Sequence, residues 1–401
     1  MCWHVNTHIR VEAISFLKRL LVNYKVLTFN QTFLYLTIAM FTLFLAYSEF
    51  FKNLSLALML AYLLYQFVNN KLTITKDVIS ISLISHLLVV IIGIFFAINS
   101  QEALAQSSDI LKITIVFFFF REVDLSFISL EFIVRLVLIG FILTIFHSLV
   151  DYYIFHSDFL KLHSVGSINR SATYIMYIFV ITLVLRDFFK SKPTQILLFS
   201  GLVLSSTALI LAGSRMTMFS IPVVIAYYLL LQGRLNVKHY LFYIAPFLML
   251  FLLYLIVFSE SRVSMKLLQG LNDPHRIQIW VSSIYAWLEH NLLFGIGVGN
   301  SIFIDVRDYY DNALTANINN THQLYLDMLL ERGILGFFTF FTFIGSLWLG
   351  VRKEHKVLLR LLIFSLCLMG FANITFRYEF ALLFIVVVSA VLNSTLKKEY
   401  G

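Results

Sequence analysis

Twelve apolar runs divide this chain, at roughly 32–50, 54–69, 79–98, 108–120, 128–150, 172–188, 194–212, 216–232, 240–258, 322–350, 358–375 and 378–396. Most approach the ~20 residues an α-helix needs to cross a hydrocarbon core. Backbone in lipid must satisfy its own amides and carbonyls, so such runs fold as helices. Composition agrees: 60% of the 401 residues are hydrophobic and 13% are charged, against roughly 25% charged in a soluble domain. The expected fold class is an all-α integral membrane protein with about 12 transmembrane helices, forming a single polytopic membrane domain over residues 1–401. The run at 108–120 is short, and 322–350 is long enough to break at Gly333 or Gly336.

Lys and Arg set the orientation, because positive charge concentrates on the cytoplasmic side. With the N-terminus inside, inner segments hold 18 of the 30 Lys and Arg residues, and both termini are expected in the cytoplasm. Residues 11–27 place Val11, Ile14, Leu17, Leu20 and Leu21 at near-helical spacing among Lys18, Arg19 and Lys25. That pattern predicts an amphipathic helix on the cytoplasmic surface. Residues 259–321 form the longest polar connection, an outer loop of 63 residues, and loops of that length are usually functional. Within it, Ile277, Trp280, Ile284, Trp287 and Leu288 predict a surface helix over Arg276 to His290, with the tryptophans at headgroup level. A further outer segment, 151–169, is polar, with Asp151, Asp158, Lys161 and His163.

Against this orientation, Lys161, Arg170, Arg215, Arg262, Arg276, Arg307, His322 and Arg377 fall on or near the outer face. Arginine near hydrocarbon is expensive unless it has a partner or a task. Each has a simpler reading: Arg215, after Gly213-Ser214, as a snorkelling anchor; Arg276 and Arg170 as solvated interfacial charges; Arg377 as the partner of Glu379. Together they suggest an anionic ligand at the outer surface, best met by the pyrophosphate of a lipid-linked sugar, since guanidinium forks match phosphate oxygens. His322 is suited to taking a proton from an alcohol.

The net charge of +8 belongs mostly to the inner segments, and no nucleic-acid partner is expected. Cys2 and Cys367 stand at opposite ends of the chain, which leaves no disulfide framework or paired-cysteine metal site. No cofactor and no metal are expected. Gly295-Ile296-Gly297-Val298-Gly299-Asn300 fails as a dinucleotide fingerprint, having no preceding strand; it is expected to form a tight turn bringing backbone, at Gly297 and Gly299, close to a glycan or phosphate.

That glycine segment, followed by His322-Gln323 with Tyr325-Leu326 and by Glu331, Gly333 and Gly336, resembles the signature of O-antigen ligases. O-antigen polymerases and protein O-oligosaccharyltransferases share it. Gly213-Ser214-Arg215 resembles the family's Ser-Arg motif, and Arg276 the arginine that opens the loop helix. Gln323 departs mildly from the more usual Asn. The resemblance implies a GT-C-type glycosyltransferase architecture with one large periplasmic loop in the bacterial inner membrane, with inverting, metal-independent chemistry. It implies catalytic roles for Arg215, Arg276 and His322, and more weakly substrate binding by Arg170 and Arg377; Glu379, beside Arg377, is also expected among the substrate-binding residues.

The first expectation is ligation: glycan passes from undecaprenyl pyrophosphate to the lipid A–core oligosaccharide. The alternative is O-antigen polymerisation with the same donor. A transporter or flippase of lipid-linked sugars is a third reading, disfavoured by the lack of an inverted repeat. A protein O-oligosaccharyltransferase is expected less, since those usually carry an extra periplasmic C-terminal domain.

Overall fold

The computed structural model describes residues 28–154, 160–234, 236–257, 274–310, 312–350 and 353–393. The amphipathic segment predicted at 11–27, the first part of the 259–321 loop and Arg262 lie outside them. The described residues contain thirteen α-helices and no β-strand: α1 (Phe29–Phe44), α2 (Glu49–Val68), α3 (Val78–Gly93), α4 (Ser100–Glu122), α5 (Leu130–Ile154), α6 (Ile168–Leu185), α7 (Lys192–Ala212), α8 (Arg215–Leu231), α9 (Val237–Val257), α10 (Pro274–Glu289), α11 (Leu324–Leu349), α12 (Lys356–Gly370) and α13 (Tyr378–Leu392). Each predicted apolar run coincides with one helix. Seven helices among the described residues, α2 to α7 and α11, are long and apolar enough to cross a membrane.

Helix starts follow local chemistry. Thr28 and Gln31 form a reciprocal capping box on α1, Asp77 accepts from the Ser80 amide on α3, and Asn99 accepts from two amides of α4. Each satisfies donors that a helix start leaves open. The short run at 108–120 belongs to a longer helix, because α4 begins with polar turns from Ser100 to Asp109. Its Phe117–Phe120 are buried, so the phenylalanine run is core packing.

The centre of the bundle is α13, buried without a break from Glu379 to Val391. It packs on α4 and α6, and α6 is itself buried from Ser171 to Leu185. A helix apolar all round belongs inside. Peripheral helices leave large apolar side chains open, such as Phe50, Phe95, Phe146 and Phe199, which suits contact with lipid.

The long run at 322–350 breaks at Gly333, whose φ of 63° and ψ of −169° interrupt α11. A helix broken there loses the bonds from Ile334 to Leu330 and from Leu335 to Glu331. The glycine-rich segment restores all four groups. Leu330 O accepts from Ile296 N at 2.8 Å and Glu331 O from Gly297 N at 3.1 Å; Ile334 N donates to Leu292 O at 2.9 Å and Leu335 N to Leu293 O at 3.1 Å. Side chains are excluded on both sides of this joint. A Cβ on Gly333 would strike the Leu293 carbonyl, and one on Gly295 the Leu330 carbonyl. The positive φ at both positions also favours glycine.

A second, smaller core lies under the loop, built from Ile279, Ala286, Ile296, Ile304, Val306, Ile318 and Leu330. Helix α10 forms where the sequence predicts it. Its tryptophans, Trp280 and Trp287, are half-buried and pack against this core, and their indole N–H groups donate to Thr321 O at 2.9 Å and Leu292 O at 3.3 Å.

Candidate active site

Five segments open onto one cleft of about 750 Å³, among them the turn between α12 and α13 with Ala372 and Asn373. The turn before α6 supplies Ser167, Asn169 and Arg170; the α7–α8 turn supplies Gly213, Ser214 and Arg215; α10 supplies His275, Arg276 and Trp280; the end of the loop supplies Asn320 and His322. Gly213 caps α7 in the left-handed conformation (φ 66°), so the chain reverses at once and Arg215 starts α8. Arg276 sits in the first turn of α10, with Nη1 3.4 Å from Ala372 O. Arg170 lies over the Tyr378 ring, 3.6 Å from its centroid, and donates to the Tyr378 hydroxyl at 2.8 Å.

His322 is held by its backbone. Its φ is 53°, its amide donates to Asn320 Oδ1 at 2.9 Å, and the neighbouring Thr321 carbonyl is tied to Trp280. Thr321 Oγ1 in turn donates to Gln323 O at 2.8 Å, where α11 begins. The imidazole thus stands at a helix start fastened to the loop core from one side.

The cleft continues into a recess of about 90 Å³ that keeps Arg170, Asn320 and His322 as walls and adds Asn319, Arg377 and Tyr378. Asn373 lines both spaces. It is 5% exposed, and its Nδ2 has no hydrogen-bond partner among the described residues; the same holds for Nε and Nη2 of Arg377. Buried donors are rarely left so. They suit a ligand rich in acceptor oxygens. Sequence reasoning missed Asn373, which belongs to no motif; its one signal is a polar side chain in a very short turn between apolar helices.

Arg377 does not pair with Glu379. Its Nη1 lies 3.5 Å from Glu331 Oε2 and 3.8 Å from Asp327 Oδ1, while Arg332 Nη1 lies 3.3 Å from Asp327 Oδ2. Two carboxylates and two guanidiniums thus neutralise one another, all at most 5% exposed. Glu379 pairs with Lys52 from α2 and lines a separate pocket of about 150 Å³. The reason is geometric: residues two apart across a helix start point to different sides.

Gly297 and Gly299 are not brought to the cleft. They press against Ala97 and Gln106 respectively. Nor do Lys161 and Arg307 line it. Arg307 is exposed and bound to Asp305 at 2.9 Å, an attachment that holds the Asp305 carboxyl below its usual range.

A cleft lined by three arginines and two histidines at one end of a multi-span helical bundle marks the chain as a multi-pass membrane protein with a basic chamber. The family model described as O-antigen ligase matches residues 200–341, and over that stretch the chain is similar to O-antigen ligases, as its motifs imply. The match contains Arg215, Arg276 and His322; Arg170 and Arg377 come from outside it. No curated protein matches the chain.

Proposed function

We propose that this protein is an O-antigen ligase of the bacterial inner membrane. In this reading it is a GT-C-type glycosyltransferase with about twelve spans, cytoplasmic termini and the 259–321 loop in the periplasm. The carrying observation is the convergence of Arg170, Arg215, Arg276 and His322 on one cleft.

The donor is undecaprenyl pyrophosphate bearing glycan, and the acceptor is a hydroxyl of the lipid A–core oligosaccharide. Arg215 and Arg276 hold the diphosphate, and Arg170 steadies the sugar next to it. The acceptor oxygen bonds to the anomeric carbon on the face opposite the diphosphate. The carbon–oxygen bond to the diphosphate breaks, and its electron pair leaves with undecaprenyl pyrophosphate. The acceptor proton passes to His322. Negative charge grows on the leaving group as that bond lengthens, so fixed cations stabilise the transition state more than the ground state. Arg377 stays with its carboxylates and offers the recess its remaining N–H donors.

Lipopolysaccharide from a deletion strain tests the reaction. Loss of a ligase leaves bare core, whereas core carrying one repeat would assign the protein to the alternative, polymerisation. A His322→Asn variant tests the site, since Asn tolerates the left-handed backbone while removing the imidazole. Transfer should fall while the protein still inserts; full transfer would remove His322 from the mechanism.

A further inference from the structure

We propose that His147, Asp151 and His163 form a binding site for a divalent transition metal, zinc being the best fit. His147 and Asp151 lie four residues apart in the last turns of α5, so both project from one helix face. His163 comes from the turn that precedes α6, and its ring centroid is 4.6 Å from that of His147. His147 Nε2 is 3.9 Å from Asp151 Oδ1, and one ligand atom from each residue falls within 4.8 Å of the other two.

Two imidazoles and a carboxylate make a donor set that zinc favours, with a fourth position left for water. Tetrahedral Zn²⁺ with bonds of about 2.0–2.1 Å holds its ligand atoms ~3.3 Å apart, so small side-chain rotations close the site. The existing contacts also leave a need. His147 Nδ1 is buried without a hydrogen-bond partner among the described residues, and the facing rings would repel if both carried protons. All three groups are partly open, giving the ion a way in.

The site has a mechanical consequence. His163 rides on a turn whose Leu162 amide donates to Ser171 Oγ at 3.0 Å and whose next residues, Ser167 to Arg170, line the cleft. A bound ion would clip that turn to the end of α5. The inference does not depend on the reaction proposed above.

Full-length protein in detergent, stripped with chelator, is titrated with Zn²⁺ by calorimetry and with Co²⁺ by visible absorption. One equivalent should bind, with cobalt bands of a low-coordinate site. His163→Ala and Asp151→Asn should each weaken it by more than the roughly tenfold to hundredfold cost of losing an outer-shell partner. Arg215→Ala should bind as wild type. His163 is exposed, so its variant tests the site without disturbing packing. Absence of stoichiometric binding, or an equivalent retained unchanged in both site variants, overturns the proposal.

Discussion

The cleft and the ion cluster beside it treat positive charge in opposite ways. In the cluster, Arg332 and Arg377 face Asp327 and Glu331 with almost no solvent, and the four charges sum to zero. In the cleft, Arg170, Arg215 and Arg276 gather around open volume, with no carboxylate among the lining residues. Burial explains the difference. An uncompensated charge in the interior costs several kcal/mol, whereas a charge at the wall of an open cleft stays within reach of solvent. Arg377 belongs to both regions: its Nη1 meets the carboxylates, the residue also lines the recess, and its Nε and Nη2 have no hydrogen-bond partner among the described residues. The arginines of this protein therefore differ in what faces them: carboxylates in the cluster, open volume in the cleft.

Four substitutions sharpen or break that comparison. The largest effect is expected from Glu331→Ala, which leaves the buried Arg332 and Arg377 to share the single Asp327 carboxylate and should lower unfolding stability by about 3–5 kcal/mol, read as an earlier thermal melt in detergent. A wild-type melt would mean the cluster is not a structural element. Next, Arg215→Ala should slow glycan transfer about 10²- to 10³-fold, the scale of losing one transition-state donor, with the melt unmoved. If the melt drops with activity, the cleft follows the cluster's rule. Arg215→Lys keeps the charge and loses the fork; one missing charge-assisted bond of about 1.5 kcal/mol corresponds to roughly tenfold in rate. The smallest effect is expected from Trp280→Phe. It removes the donor to Thr321 O and should cost about 1 kcal/mol, seen as a small melting shift with a modest loss of transfer through His322.

Much of the architecture is legible in the residue order. Apolar runs mark the helices because lipid and core both demand them, and the break in α11 falls at one of the two glycines named for it. The limits of α4 are not legible: its first turns are polar, and hydropathy reads polarity as loop. The chemistry divides similarly. Arg170, Arg215, Arg276 and His322 can be picked out because each stands at a segment end on one face. Arg377 is seen but misassigned, since Glu379 is near in sequence whereas Glu331 is near in space. Asn373 is missed because its meaning lies in an orphaned amide, which only packing reveals. Gly297 and Gly299 lie away from the cleft; glycine spacing reports close approach without naming what approaches, and here Ala97 and Gln106 do.

The joint between the glycine segment and α11 has a consequence for genetics. Alleles at Gly295 or Gly333 would unhook a clasp of four main-chain bonds, leaving the charged residues of the cleft unchanged in identity yet unsupported. In a screen for inactive mutants they would cluster with true chemical lesions. The membrane fraction would tell the classes apart: clasp mutants should be scarce there, and cleft mutants abundant.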